Sequence, residues 1–133
     1  MVKKTKIISD KIIEYSIGWL DIPELKISVE IEVHDKDKSW DDLGLSDREE
    51  ELLTLEQCIW LANSKYAKQL KMDGSSSKDD FFIKQPFDLN RKNGYVARFY
   101  ADSDGAYLNC GRDSSVSVSN LGVRFVRGLK VKK

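Results

Sequence analysis

The sequence predicts an α+β fold, with strands and one or two helices set apart along the chain rather than alternating. Three observations predict it. Residues 26–34 alternate apolar and polar side chains without a break, the period of a strand with one buried face. Residues 52–70 carry apolar side chains at helical spacing. Beyond residue 93 the chain reads as short strands divided by turn signals, with no second helical pattern. A length of 133 residues fits one domain, 1–133, with a modest core.

Residues 5–19 are rich in β-branched and aromatic side chains around a Ser-Asp interruption, which predicts one or two short strands, ended by Gly18 and Pro23. Next, Ile27, Val29, Ile31 and Val33 alternate with Lys26, Ser28, Glu30, Glu32 and His34. The first set is expected inside and the second, His34 included, in water. Asp35-x-Asp37-x-Ser39 opens like a calcium loop. Trp40, however, stands where the sharp turn needs Gly, and Ser46 where a bidentate Glu belongs. A polar turn with Trp40 packed inward is expected instead.

Ser46-x-x-Glu49 and Thr54-x-x-Gln57 both have the capping-box pattern. Leu52, Leu55, Ile59, Ala62, Tyr66 and Leu70 form a continuous apolar stripe, widened by Cys58, Trp60 and Leu61, and Gly74 can supply the stop. The helix therefore starts at Ser46 or after Thr54. Residues 72–80 read as a polar loop and Phe81–Ile83 as a short apolar run. Asn93-Gly94 is a hairpin turn, because both residues tolerate positive φ. Tyr95, Ala97 and Phe99 alternate with Val96, Arg98 and Tyr100 in the strand that leaves it. Asp104-Gly105 marks the next turn, residues 106–110 a strand, 111–120 a loop, and Leu121–Val131 the closing strand.

Hydrophobic residues at 41% and charged residues at 33% are the composition of a soluble globular protein. A formal net charge of zero argues against a dedicated nucleic-acid binder. The N-terminal residues lack the apolar stretch of a signal peptide. No segment approaches the roughly 20 apolar residues of a spanning helix, so direct membrane insertion is not expected. Cys58 and Cys110 read as two reduced, buried thiols, with a disulfide between them left open. There is one histidine and no nucleophile elbow, phosphate loop or metal-spaced cluster. No catalytic residue, cofactor or metal is expected.

The segment Tyr95–Leu129 is unusual for what it omits: it contains no Lys, Glu, Gln, Trp or Met. Those five types make up about a quarter of the whole chain. The segment is rich in Asp, Ser, Asn, Gly and Tyr, which ordinarily build loops and turns. It ends in Leu121-Gly-Val-Arg-Phe-Val-Arg, which is similar to the closing strand of compact C-type lectin-like domains. With Ser103-Asp-Gly-Ala106 and Leu108-Asn-Cys110 ahead of it, the segment resembles the variable region of diversity-generating retroelement proteins, the small archaeal members above all. In that family a mutagenic reverse transcriptase replaces template adenines, chiefly in AAC or AAT codons. Such codons never become Lys, Glu, Gln, Trp or Met. The resemblance covers the last 35 residues and, loosely, the helix. The Trp-rich element that precedes the variable region in larger members is missing, as are the Glu-Pro-Asn and Trp-Asn-Asp calcium motifs.

The resemblance implies a minimal C-type lectin-like fold and a ligand-binding region over about residues 98–120. Its variable positions point to solvent while intervening ones pack inward. On that pattern the candidate ligand-binding residues are Tyr100, Asp102, Asp104, Tyr107, Asn109, Gly111, Asp113, Val116, Val118 and Asn120, with Leu108 and Cys110 inward. Tyr100 and Tyr107 are the natural anchors, and the three aspartates favour a basic or donor-rich partner. The implied ligand is a protein that differs between variants. The alternative is a lectin-like adhesion or viral accessory module with a fixed site. Arg124 and Arg127 are expected to be structural. Neither the oligomeric state nor a display route is encoded.

Overall fold

The computed structural model describes residues 4–8, 11–15, 18–76, 78–86, 94–103 and 105–129. Strands β1 (Lys4–Ile8) and β2 (Lys11–Tyr15) pair as an antiparallel hairpin. A second hairpin joins β3 (Trp19–Ile22) to β4 (Ile27–Glu30). Its connection is the 3-10 turn Pro23–Leu25, begun by a proline whose fixed φ suits a first helical position. Strand β9 (Val126–Gly128) returns from the far end of the chain to pair antiparallel with β4, which gives the order β3–β4–β9.

The other sheet has the order β7–β6–β5–β8, built from β5 (Asp80–Phe82), β6 (Tyr95–Asp102), β7 (Gly105–Asp113) and β8 (Leu121–Gly122). Its pairings are antiparallel except β5 with β8, which is parallel. Helix α1 (Leu55–Ala62) packs against β6 and β7. The fold is α+β, as the pattern of elements predicts.

Two apolar clusters hold these layers. The larger joins Ile22, Val29, Leu53, Cys58, Leu61, Phe81 and Phe99 across both sheets and α1. The smaller gathers Trp40, Leu45, Phe82, Val96, Leu121 and Val123. Phe81 and Phe82 are neighbours in β5 and so point to opposite faces of the sheet; each enters one cluster. Trp40 is packed inward as expected, with its indole N–H donating to Ser46 Oγ at 2.8 Å.

Several expectations need correction. β4 ends at Glu30, and its nominally wet face is covered. Ser28 Oγ donates to Asp21 Oδ1 at 2.6 Å, and Glu30 Oε1 accepts from the Phe125 backbone N–H at 2.7 Å. His34 is therefore half-buried rather than solvated. Of the two capping boxes, the one at Thr54 forms: Thr54 Oγ1 accepts from Gln57 N at 3.1 Å and Gln57 Oε1 accepts from Thr54 N at 2.9 Å. Ser46 accepts from Trp40 instead and lies inside the short 3-10 turn Leu45–Asp47, which it does not cap.

The helix is also shorter than its apolar stripe. Asn63 and Ser64 donate side-chain hydrogen bonds to the carbonyls of Ile59 and Leu61, at 2.8 and 2.7 Å. Such local bonding competes with continuation of the helix, so α1 stops at Ala62, well before Gly74. Cys58 and Leu61 face the core, while Ile59 and Trp60 are exposed. Residues 111–113 extend β7 rather than open a loop. The closing strand is broken between β8 and β9, where Val123 and Phe125 make single bridges to His34 and Leu52. Asn93, Lys130 and Val131, which figure in the predicted turn and closing strand, lie outside the described residues.

Candidate functional site

The β6–β7 hairpin carries the centre of the predicted surface. Asp102 pairs with Gly105, so Gly105, expected in the turn, is the first residue of β7; Asp104 lies outside the described residues. The register sets Arg98 opposite Asn109, Tyr100 opposite Tyr107, and Phe99 opposite Leu108. Side chains alternate across a strand, so Arg98, Tyr100, Tyr107 and Asn109 share one face. Phe99, Ala101 and Leu108 share the other; Phe99 and Leu108 pack in the larger cluster and Ala101 is buried.

On the outer face the two tyrosine rings stack, with centroids 5.2 Å apart and planes at 24°. The Arg98 guanidinium lies 5.3 Å from the Tyr100 centroid, and its Nη1 is 3.3 Å from Asp80 Oδ2. Tyr107 is 38% exposed. Beyond it β7 bulges: Val96 pairs with Arg112 and Arg98 with Asn109, so one residue of β6 faces two of β7. There Asn109 Oδ1 accepts from Gly111 N at 2.9 Å, and Gly111 is exposed.

Asp113 then organises the following turn. Its Oδ1 accepts from Ser115 N at 2.8 Å and Ser115 Oγ at 2.6 Å. These bonds favour the ionised form and lower the pKa of its carboxyl. The turn presents Val116, 40% exposed. Val118 behaves differently. It is half-buried against the smaller cluster, and its carbonyl accepts from Asp37 N and Leu121 N at 3.2 and 3.1 Å. The Asn120 carbonyl accepts from Asp80 N at 3.1 Å. At the hairpin tip Asp102 is half-buried, and Gly74, at φ 89°, lies directly against its backbone.

The predicted residues thus separate into groups. Tyr100, Tyr107, Asn109 and Gly111 form one outward patch, and Asp113 and Val116 an exposed turn beyond it. Val118 and Asn120 tie that turn to the framework, and Asp102 sits at the tip. Arg98 and Asp80, which underlie Tyr100, are absent from the predicted set. Arg98 was legible, since it has the same strand parity as Tyr100; Asp80 becomes a neighbour only through the tertiary pairing of β5 with β6.

A separate cleft of about 260 Å³ lies at the other end of the hairpin, lined by Trp40, Asp41, Glu49, Tyr95 and Ser114 among others. Its Ser114 hydroxyl donates to Asp41 Oδ2 at 3.0 Å. Cys58 and Cys110 are thiols not joined in a disulfide. Burial pushes the Cys58 pKa up, which disfavours the thiolate. Among the described residues no group of three His, Cys, Asp or Glu is placed to hold a metal ion, and no helix is long and apolar enough to cross a membrane. No family model, no curated protein and no solved structure matches the chain.

Proposed function

We propose that the chain is a non-enzymatic binding protein with a compact C-type lectin-like fold. Its surface over about residues 98–120 is diversified by a retroelement, so that variants bind different protein ligands. The observation that carries this reading is the division of labour within β6 and β7. One face of the hairpin supplies Phe99, Ala101 and Leu108 to the core, while the other presents a tyrosine pair and Asn109 to solvent. Side chains on such a face can change without removing core contacts, and rigid strands are the better support for a binding patch. The omission of Lys, Glu, Gln, Trp and Met from Tyr95–Leu129 supports the same reading.

The test is in the DNA. A near-copy of the 3′ end of the gene is expected downstream, differing from it at adenines, with a reverse-transcriptase gene nearby. Neighbouring DNA with neither feature overturns the diversified site and leaves a lectin-like module of fixed specificity.

A further inference from the structure

We infer that His34, in its doubly protonated form, is a latch that holds residues 33–37 against the closing segment 118–125, and that loss of one ring proton loosens that segment where it leaves the turn carrying Val116. The inference goes beyond the binding reading and does not depend on diversification. It starts from the ring itself. His34 Nε2 lies 2.7 Å from Glu30 Oε1, and Nδ1 lies 2.8 Å from Asp35 Oδ2. A neutral imidazole has one N–H, so it can donate to only one of these oxygens and must point a lone pair at the other. The imidazolium alone satisfies both.

The surroundings tie this proton to the closing segment. Glu30 is 5% exposed, and the same Oε1 that meets His34 accepts from Phe125 N at 2.7 Å. The His34 ring packs on the Phe125 ring, with centroids 5.6 Å apart. The backbone of His34 both donates to and accepts from Val123, at 3.0 and 2.8 Å, and Asp37 N donates to the carbonyls of Val118 and Leu121. His34 and its neighbour Asp37 therefore hold the chain that leaves the 114–120 turn, at Val118, Leu121 and Val123, while Gly94 and Asp41 hold the chain that enters it, at Ser114.

The two carboxylates that contact the ring, Glu30 and Asp35, both favour its cation. Lys38 lies 3.7 Å from Asp35. The Arg48 guanidinium lies over the Phe125 ring at 4.1 Å from its centroid, and both Arg48 and the buried Arg124 feel the charge of Glu30. The hydrogen bond to Glu30 is the largest influence on His34, and it raises the pKa above the usual 6.5 against the opposing effect of burial. A cation with a raised pKa stabilises the fold fully below its ordinary value, and that stabilisation is lost as pH rises through the raised one. The Asp35 carboxyl is lowered, chiefly by its bond to His34, so its share is lost only on strong acidification. The latch is closed between those limits.

His34 is the one histidine of the chain, which makes the test direct. Amide exchange, corrected for its intrinsic pH dependence, is followed by NMR from about pH 5.5 to about pH 8.5, alongside the imidazole nitrogens. Protection of the Asp37 and Val123 amides is expected to fall as the ring titrates and then level off. That of Cys58, bonded to Thr54 O within α1, should stay constant. His34→Gln should abolish the step. Asp35→Asn, which keeps the fold's buried contacts, should move it to lower pH. A step that persists unchanged in either variant, a ring that titrates at or below the ordinary histidine value, or protection that ignores pH overturns the latch.

Discussion

Replacing Gly122 with alanine is expected to destabilise the protein by about 3 kcal/mol, the upper range for overpacking at a site that cannot relax. Gly122 lies in β8, paired with Phe81 in the one parallel ladder of its sheet. A Cβ there would fall well inside contact distance of the His34 carbonyl oxygen and within 3.0 Å of side-chain carbons of Val33 and Lys36. The carbonyl is the decisive neighbour. It accepts from Val123 N at 2.8 Å, so it cannot retreat without breaking the bridge that joins the two halves of the chain. The glycine of the Leu-Gly-Val-Arg-Phe run is thus required by close backbone approach rather than by positive φ. Gly128 is the control, since a Cβ there meets nothing within 4 Å. Gly128→Ala should stay within about 0.5 kcal/mol of the parent. Denaturant unfolding of the two variants measures both, and equal stabilities would refute the steric argument.

Arg124→Ala is expected to cost about 3–5 kcal/mol, from the cavity and from acceptors left without a donor. The side chain is 0% exposed. Its Nη2 donates to the Ile31 and Leu70 carbonyls at 2.7 and 2.8 Å, and the guanidinium lies 4.8 Å from the Phe81 centroid. It joins the end of β4, the turns after α1 and the closing segment. Burial disfavours its charge and pulls the pKa down to about 10, so the group remains a cation at neutral pH and its desolvation opposes folding. Arg124→Met, which keeps the volume and removes that charge, should therefore lose clearly less than alanine does. Unfolding midpoints of the two variants decide; an alanine variant as stable as the methionine one would show that packing at this position contributes little.

Much of the framework was legible because it rests on local rules. The capping box at Thr54, the inward Trp40 and the alternation in β6 follow from side-chain chemistry or strand period. What was not legible came from tertiary contacts. Glu30 and His34 sit on the polar side of a clean alternation, yet the closing segment covers them and supplies Phe125 N as a partner. Ile59 fits the helical stripe but faces solvent, because the helix ends at Ala62 and turns its other side to the core. At the candidate surface, alternation placed Tyr107 and Asn109 outward correctly. It could not separate Val116 from Val118, because residues 114–120 are a turn whose contacts with Asp37 and Asp80 belong to the folded chain alone.

The central claim is that folding energy resides in the framework, while the outer face of β6–β7 and the turn after Asp113 contribute little to it. Denaturant unfolding of the triple variant Tyr107→Ser, Asn109→Ser, Val116→Asp tests that most directly. A total loss within about 1.5 kcal/mol, mostly from the stacked tyrosine pair, is the expected result. A loss above about 3 kcal/mol, comparable with a core substitution, would contradict it.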